Sequence, residues 1–167
     1  MFLTFLEFLI FGCAVVVVFG LFMWIREVFL AYKFASQPLG NLPVNKKAYC
    51  QLVLNWCQDN IAHPTTTKPK LTIKYYRSKK WGGLYLFKSH ECIIYVNSHQ
   101  TILQVTNSVI HEYVHARQRN KQFSNQYEQF QQEVGYDKNP YEVEAREVAE
   151  KYQLECMNSI LGEFSNR

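Results

Sequence analysis

Three features of this sequence predict an α+β domain behind a single membrane-spanning helix. An uncharged run from Phe8 to Ile25 lies near the start, period-two alternation runs through Leu71-Thr72-Ile73-Lys74-Tyr75-Tyr76, and helically spaced apolar residues flank that alternation on both sides. The chain has 167 residues, enough for one modest core. An aromatic content of 16% argues against disorder.

Phe8 to Ile25 includes Val15-Val16-Val17-Val18 and is apolar all round, which suits lipid better than a half-buried surface. Trp24 can anchor at the interface. A cleaved leader needs a basic start, a shorter apolar region and a small-residue cleavage site. Here Glu7 precedes the run, no Lys or Arg does, and bulky residues follow it, so the segment reads as an uncleaved anchor. Arg26, Lys33, Lys46 and Lys47 lie after the run, and the positive-inside rule then places the rest of the chain in the cytoplasm of a single-pass membrane protein. Residues 1–35 are thus the anchor and its juxtamembrane segment, 36–43 a linker with two prolines and a glycine, and 44–167 the folded domain.

The domain opens with helical spacing from Val44 to Ile61, carried by Tyr49, Leu52, Val53, Trp56 and Cys57 and stopped by His63-Pro64. A half-buried strand follows at Leu71 to Tyr76, with Leu71, Ile73 and Tyr75 on one face. Trp81-Gly82-Gly83 reads as a turn or bulge, Leu84 to Phe87 as a second strand and Cys92 to Val96 as a third, the last two close enough for a hairpin. Thr101 with Gln104 three residues on forms a capping box. Ile102, Val105, Val109, Ile110 and Val114 then describe a helix of about five turns ending near Asn120. Lys121 to Lys138 is polar and glutamine-rich, and its state is not decided by pattern; Gly135 breaks it. Asn139-Pro140 starts a last helix that runs to about Leu161.

The long helix carries His111-Glu112-Tyr113-Val114-His115 in its second half. Residues four apart share a helix face, so both imidazoles can reach one Zn²⁺, with Glu112 beside them as general base for a water. A solvated helix would carry the same letters, but this one has an apolar face, and a buried glutamate beside two histidines is costly unless it is paired or metal-bound. A catalytic zinc takes three protein ligands, and no histidine follows His115. Glu142, Glu144 and Glu147 are the candidates for the third. Glu142 stands in the first turn of the last helix, where a capping-box role with Asn139 would also explain it. His63 could be a ligand, but a loop histidine beside proline is ordinarily solvated; His90 and His99 have no partner at ligand spacing.

Charge is uneven. The net charge of +4 is too small to imply nucleic acid, but Lys68, Lys70, Lys74, Arg77, Lys79, Lys80 and Lys88 lie in a stretch without acids. Such a run is ordinarily a solvated face. Of five cysteines, Cys13 lies in the apolar run. Cys50, Cys57, Cys92 and Cys156 have no disulfide-framework or Cys-x-x-Cys spacing and read as reduced and buried.

His-Glu-x-x-His followed by Glu142-Val143-Glu144-Ala145-Arg146 at the start of a later helix resembles the gluzincin metallopeptidases, including the minigluzincins and the ImmA/IrrE-like peptidases. The resemblance covers roughly Leu71 to Ala149. It implies a zincin-like domain of a first helix, a small sheet, an active-site helix and a C-terminal glutamate helix. It also implies a zinc held by His111, His115 and Glu142, with Glu112 as base, Ala145 giving room for close packing, and a peptide or protein substrate laid along an edge strand, Cys92 to Val96. Arg146 departs from the pattern, since those families carry Asp or Asn there to orient a ligand histidine, and an arginine cannot accept that hydrogen bond. Glu144 is a possible substitute, and Tyr136 or Tyr141 a possible donor to the oxyanion. The expected activity is zinc-dependent peptide-bond hydrolysis at a membrane. Two alternatives stand beside it. One is a membrane-tethered binding module that keeps zinc without turnover. The other is an adaptor whose basic stretch, with Tyr75, Tyr76, Trp81 and Tyr85, binds nucleic acid or anionic lipid; nucleic acid is the less expected partner.

Overall fold

Thr101 starts the helix on which the domain is built. Its side chain accepts from the Gln104 N–H while the Gln104 side chain accepts from the Thr101 N–H, closing the expected capping box. The computed structural model describes residues 15–26, 29, 36–61, 67–119 and 123–165. The chain divides into two units, Met1–Phe34 and Ala35–Arg167.

In the first unit, residues 15–26 are helical and their side chains exposed. Among the described residues no helix is long and apolar enough to cross a membrane. Residues 8–14 of the expected span lie outside the described residues.

The second unit is α+β: helix α1 (Lys46–Asn60), strands β1 (Lys70–Lys74), β2 (Gly83–Leu86) and β3 (Glu91–Tyr95), then helices α2 (Ile102–Gln118), α3 (Phe123–Val134) and α4 (Pro140–Ser165). The stretch expected to be a linker is fastened to this unit. Pro38 bridges Thr101, the Leu39 N–H donates to Gln100 O, and Leu39 is buried. Its prolines and glycine shape a short 3-10 turn rather than a free tether. Asn45 caps α1 by accepting from the Ala48 N–H at 2.8 Å. Tyr49, Cys50, Val53, Leu54 and Cys57 form its buried face, while Leu52 and Trp56 sit at its margins.

The sheet order is β1-β3-β2. The β2–β3 hairpin is antiparallel and β1 joins β3 in parallel, so β3 lies in the middle and β2 forms an edge. This corrects the expectation that Cys92 to Val96 is an edge strand. A third strand that pairs with both predecessors is central by topology, which its burial pattern alone does not reveal. The first strand also stops earlier than its alternation suggests. Tyr75 and Tyr76 lie beyond its end, 57% and 59% exposed, and the predicted inward face of Tyr75 is not formed.

α2 is the centre of the core. It packs against α4, α1 and the sheet, and it buries Val105, Val109, Ile110 and Val114 as expected. The Thr106 hydroxyl donates to Ile102 O and accepts from the Tyr49 hydroxyl at 2.7 Å, tying α1 to α2 inside the core. Ala145 and Ala149 are fully buried where α4 meets this packing; their small side chains suit close approach of two helices. The undecided polar segment contains helix α3. Its buried residue is Phe123, and it stops at Gly135, whose φ of +79° suits a residue without Cβ. Cys50, Cys57, Cys92 and Cys156 are free and buried.

Candidate metal centre

Three side chains from two helices converge at the junction of α2 and α4. His111 Nε2 and His115 Nε2 lie 3.1 Å apart, as residues one turn apart on a single face should. From the first turn of α4, Glu142 brings Oε2 to 3.2 Å from His111 Nε2 and Oε1 to 3.3 Å from His115 Nε2. Glu142 is 2% exposed. Its start position is fixed by Asn139, whose side-chain oxygen accepts from the Tyr141 N–H at 3.1 Å. The capping-box alternative for Glu142 therefore does not hold: its carboxylate faces the histidines rather than the helix start.

These residues fit a cation. A tetrahedral zinc with ligand bonds of about 2.0–2.2 Å places its ligand atoms about 3.3–3.5 Å apart, close to the separations found. Glu142 Oε2 is buried and faces His111 Nε2 at 3.2 Å without a well-aligned hydrogen bond, so its charge needs a cation there, either a protonated imidazole or a metal ion. The three groups form the metal-capable cluster found among the described residues. Burial alone would raise the Glu142 carboxyl, but His111, His115 and Tyr127 outweigh it and hold the group well below the usual carboxylate range. It is thus ionised, as a ligand must be.

Glu112 stands beside the cluster, 6% exposed. Burial raises its pKa, the positive potential of His115 and His111 opposes that, Glu142 adds to it, and the Tyr85 backbone N–H pulls it down. The net direction is upward, toward the range in which a carboxylate serves as a base near neutral pH. Gly83 in β2 lies flat on this carboxylate: a Cβ there would sit 2.6 Å from Glu112 Oε1 and 2.7 Å from its Cγ. Gly82 lies as closely on His99 and Ser108, one helical turn earlier. The Gly-Gly pair, read from sequence as a turn or bulge, lets the edge strand approach the charged face of α2.

A cavity of about 470 Å³ opens over the cluster, lined among others by Gly83, Tyr85, Phe123, Tyr127 and Tyr136. The Tyr127 hydroxyl donates to Glu142 Oε1 at 2.6 Å. Burial, and after it Glu142, pushes both the Tyr127 and the Tyr136 phenol upward, so both remain protonated donors. Tyr141, the other sequence candidate, is turned away. Its hydroxyl donates to Gln126 Oε1, and its ring packs on Phe123, Tyr127 and Phe130. Glu144 and Glu147 are exposed and outside the cluster. Glu144 does not reach His111 either: it pairs with Arg117 and accepts from Gln118 Nε2 at 2.9 Å. Arg146 donates to Asp137 O and lies over the Tyr136 ring, bracing the turn before α4.

His90 and His99 have other tasks. His90, at φ +50° in the hairpin turn, donates from Nε2 to Thr67 O and accepts the Tyr85 hydroxyl at Nδ1. His99 donates from Nδ1 to Tyr95 O and faces the Ser108 hydroxyl at 2.7 Å. His63 lies outside the described residues. Sequence reasoning missed Tyr127, Gly83 and Gln118. Gln118 carried a usable signal, standing three residues after His115 on the same flank of the helix. No protein-family model, no curated protein and no solved structure matches the chain.

Proposed function

We propose that this chain is a zinc-dependent peptidase of the gluzincin type, with a zincin-like domain held to a membrane by Phe8 to Ile25. The observation that carries the reading is Glu142, delivered by a separate helix to within 3.3 Å of both histidines and buried there. His111, His115 and Glu142 would hold the ion. When bound, zinc lowers the pKa of its water toward neutrality and polarises a substrate carbonyl. Glu112 takes a proton at its carboxylate and returns it to the leaving amine. The Tyr136 phenol at the cavity would supply a donor for negative charge developing on the carbonyl oxygen, while the single Tyr127 O–H is committed to Glu142 Oε1.

The substrate position is supported by β2. Its inner edge pairs with β3, and Gly83, Leu84 and Tyr85 border the cavity on the other side. An extended peptide can add there by backbone pairing. The membrane setting is supported by the uncharged run and by the basic residues that follow it, which orient the domain to the cytoplasm.

Glu112→Gln tests the reaction. The full chain, purified in detergent, should retain zinc when it carries this substitution and should lose cleavage of an unfolded protein. Equal cleavage by wild type and variant ends the peptidase reading.

A further inference from the structure

A ligand histidine must present a lone pair to the metal, and something must keep its proton on the other nitrogen. In the families this chain resembles, an Asp or Asn four residues after the glutamate ligand has that task. Here the position is Arg146, which is engaged elsewhere. The structure assigns the task for His115 to Gln118.

His115 Nδ1 lies 2.8 Å from Gln118 Oε1. Which end of an amide faces a ring is decided by its other partners. Gln118 Nε2 is 3.0 Å from Tyr141 O and 2.9 Å from Glu144 Oε2. A backbone carbonyl and a carboxylate only accept, so both N–H groups of the amide are committed to them. The end facing His115 is therefore the oxygen, which also only accepts. A proton must then sit on His115 Nδ1, so that the neutral ring presents its Nε2 lone pair toward His111 and Glu142.

The three anchors of this chain of bonds come from both helices. Arg117, on α2, holds Glu144, on α4; Glu144 and Tyr141 O hold Gln118, on α2. Tyr141 O is adjacent in sequence to the Glu142 ligand. The same contacts that set the alignment of α4 against the end of α2 thus set the tautomer of His115. Gln118 is a positioning residue, and Glu144 acts through it. This rests on the metal reading for its purpose, though not for its geometry.

Two measurements on the full chain test it. The first is a long-range proton–nitrogen NMR spectrum of the metal-free chain, at a pH high enough to keep the ring neutral, showing which nitrogen of His115 carries the proton. The second is zinc affinity by competition with a chelator. Wild type should show the Nδ1–H form. Gln118→Leu should lose that preference and bind zinc about 10–100-fold more weakly. Glu144→Ala, an exposed change that spares the core, should shift both readouts in the same direction by less. Gln118→Leu with an unchanged ring signature overturns the assignment, even if its melting temperature falls. If Gln118→Leu does not fold, Glu144→Ala decides, and no change in either readout overturns the assignment. Absence of zinc from the wild-type chain ends the metal reading, while the ring signatures still decide what Gln118 does.

Discussion

The wall made by α2 and α4 and the wall made by β2 and α3 face the same cavity, but they rest on different supports. Behind the first lies the core: Val109, Ile110 and Val114 on one helix, Ala145 and Ala149 on the other, all essentially inaccessible. α3 is held more by its margins. Phe123 is its buried residue and stacks on Phe87, the Tyr141 ring packs on Phe123, Tyr127 and Phe130, and hydrogen bonds run from Tyr127 to Glu142, from Asn139 Nδ2 to Tyr127 O and from the Tyr141 hydroxyl to Gln126. The three members of the metal-capable cluster all come from the wall with the core behind it. The Tyr127 and Tyr136 hydroxyls and the edge proposed for substrate come from the other wall and its borders. Holding an ion needs positions fixed to a few tenths of an ångström, whereas admitting a polymer needs a wall that can yield.

Substitutions on the two walls should therefore separate. The largest effect is expected from His115→Ala. It removes one of three ligands and should weaken zinc binding by more than the roughly 10–100-fold typical of supporting partners, as chelator competition will show. Next is Gly83→Ala on the opposite wall. Its Cβ would meet Glu112 Oε1 at 2.6 Å, so either β2 or the carboxylate must move. Cleavage should fall steeply and stability drop by about 1–3 kcal/mol in urea titration, with zinc still bound. Loss of zinc there would mean that the walls are not independent. Tyr136→Phe should leave zinc affinity within about tenfold while lowering turnover by 10²-fold or more, on the order of removing one oxyanion donor; a larger loss of zinc than of turnover would place Tyr136 with the ligand wall. Thr101→Ala, at the remote start of α2, should cost about 1 kcal/mol through its capping box and leave the ratio of turnover to zinc content unchanged. Smallest of all, Gln129→Ala on the exposed side of α3 should change stability by less than about 0.5 kcal/mol.

The same division governs what could be read from the letters. α2, its cap and its histidine pair were legible because helical period, capping chemistry and ligand spacing all point the same way within seventeen residues. Glu142 was legible as a candidate because Asn139-Pro140 places it in a first helical turn, but only three dimensions separate a ligand from a cap. The mixed sheet order was not legible. Three short strands admit several pairings, and the parallel β1–β3 contact joins residues about twenty apart with β2 between them in the chain. Tyr127 was hidden because α3 forms on weak local signals and is fixed by contacts to residues that follow it. Tyr136 and Tyr141 looked equivalent in sequence; the turn before α4 sends one to the cavity and packs the other against aromatic rings.

One ion shared between α2 and α4 is read from metal content. The full chain should purify with about one zinc per molecule, and Glu142→Ala, which leaves both histidines in place, should purify with almost none. A wild-type chain free of zinc, or a Glu142→Ala chain that retains it in full, would contradict the account.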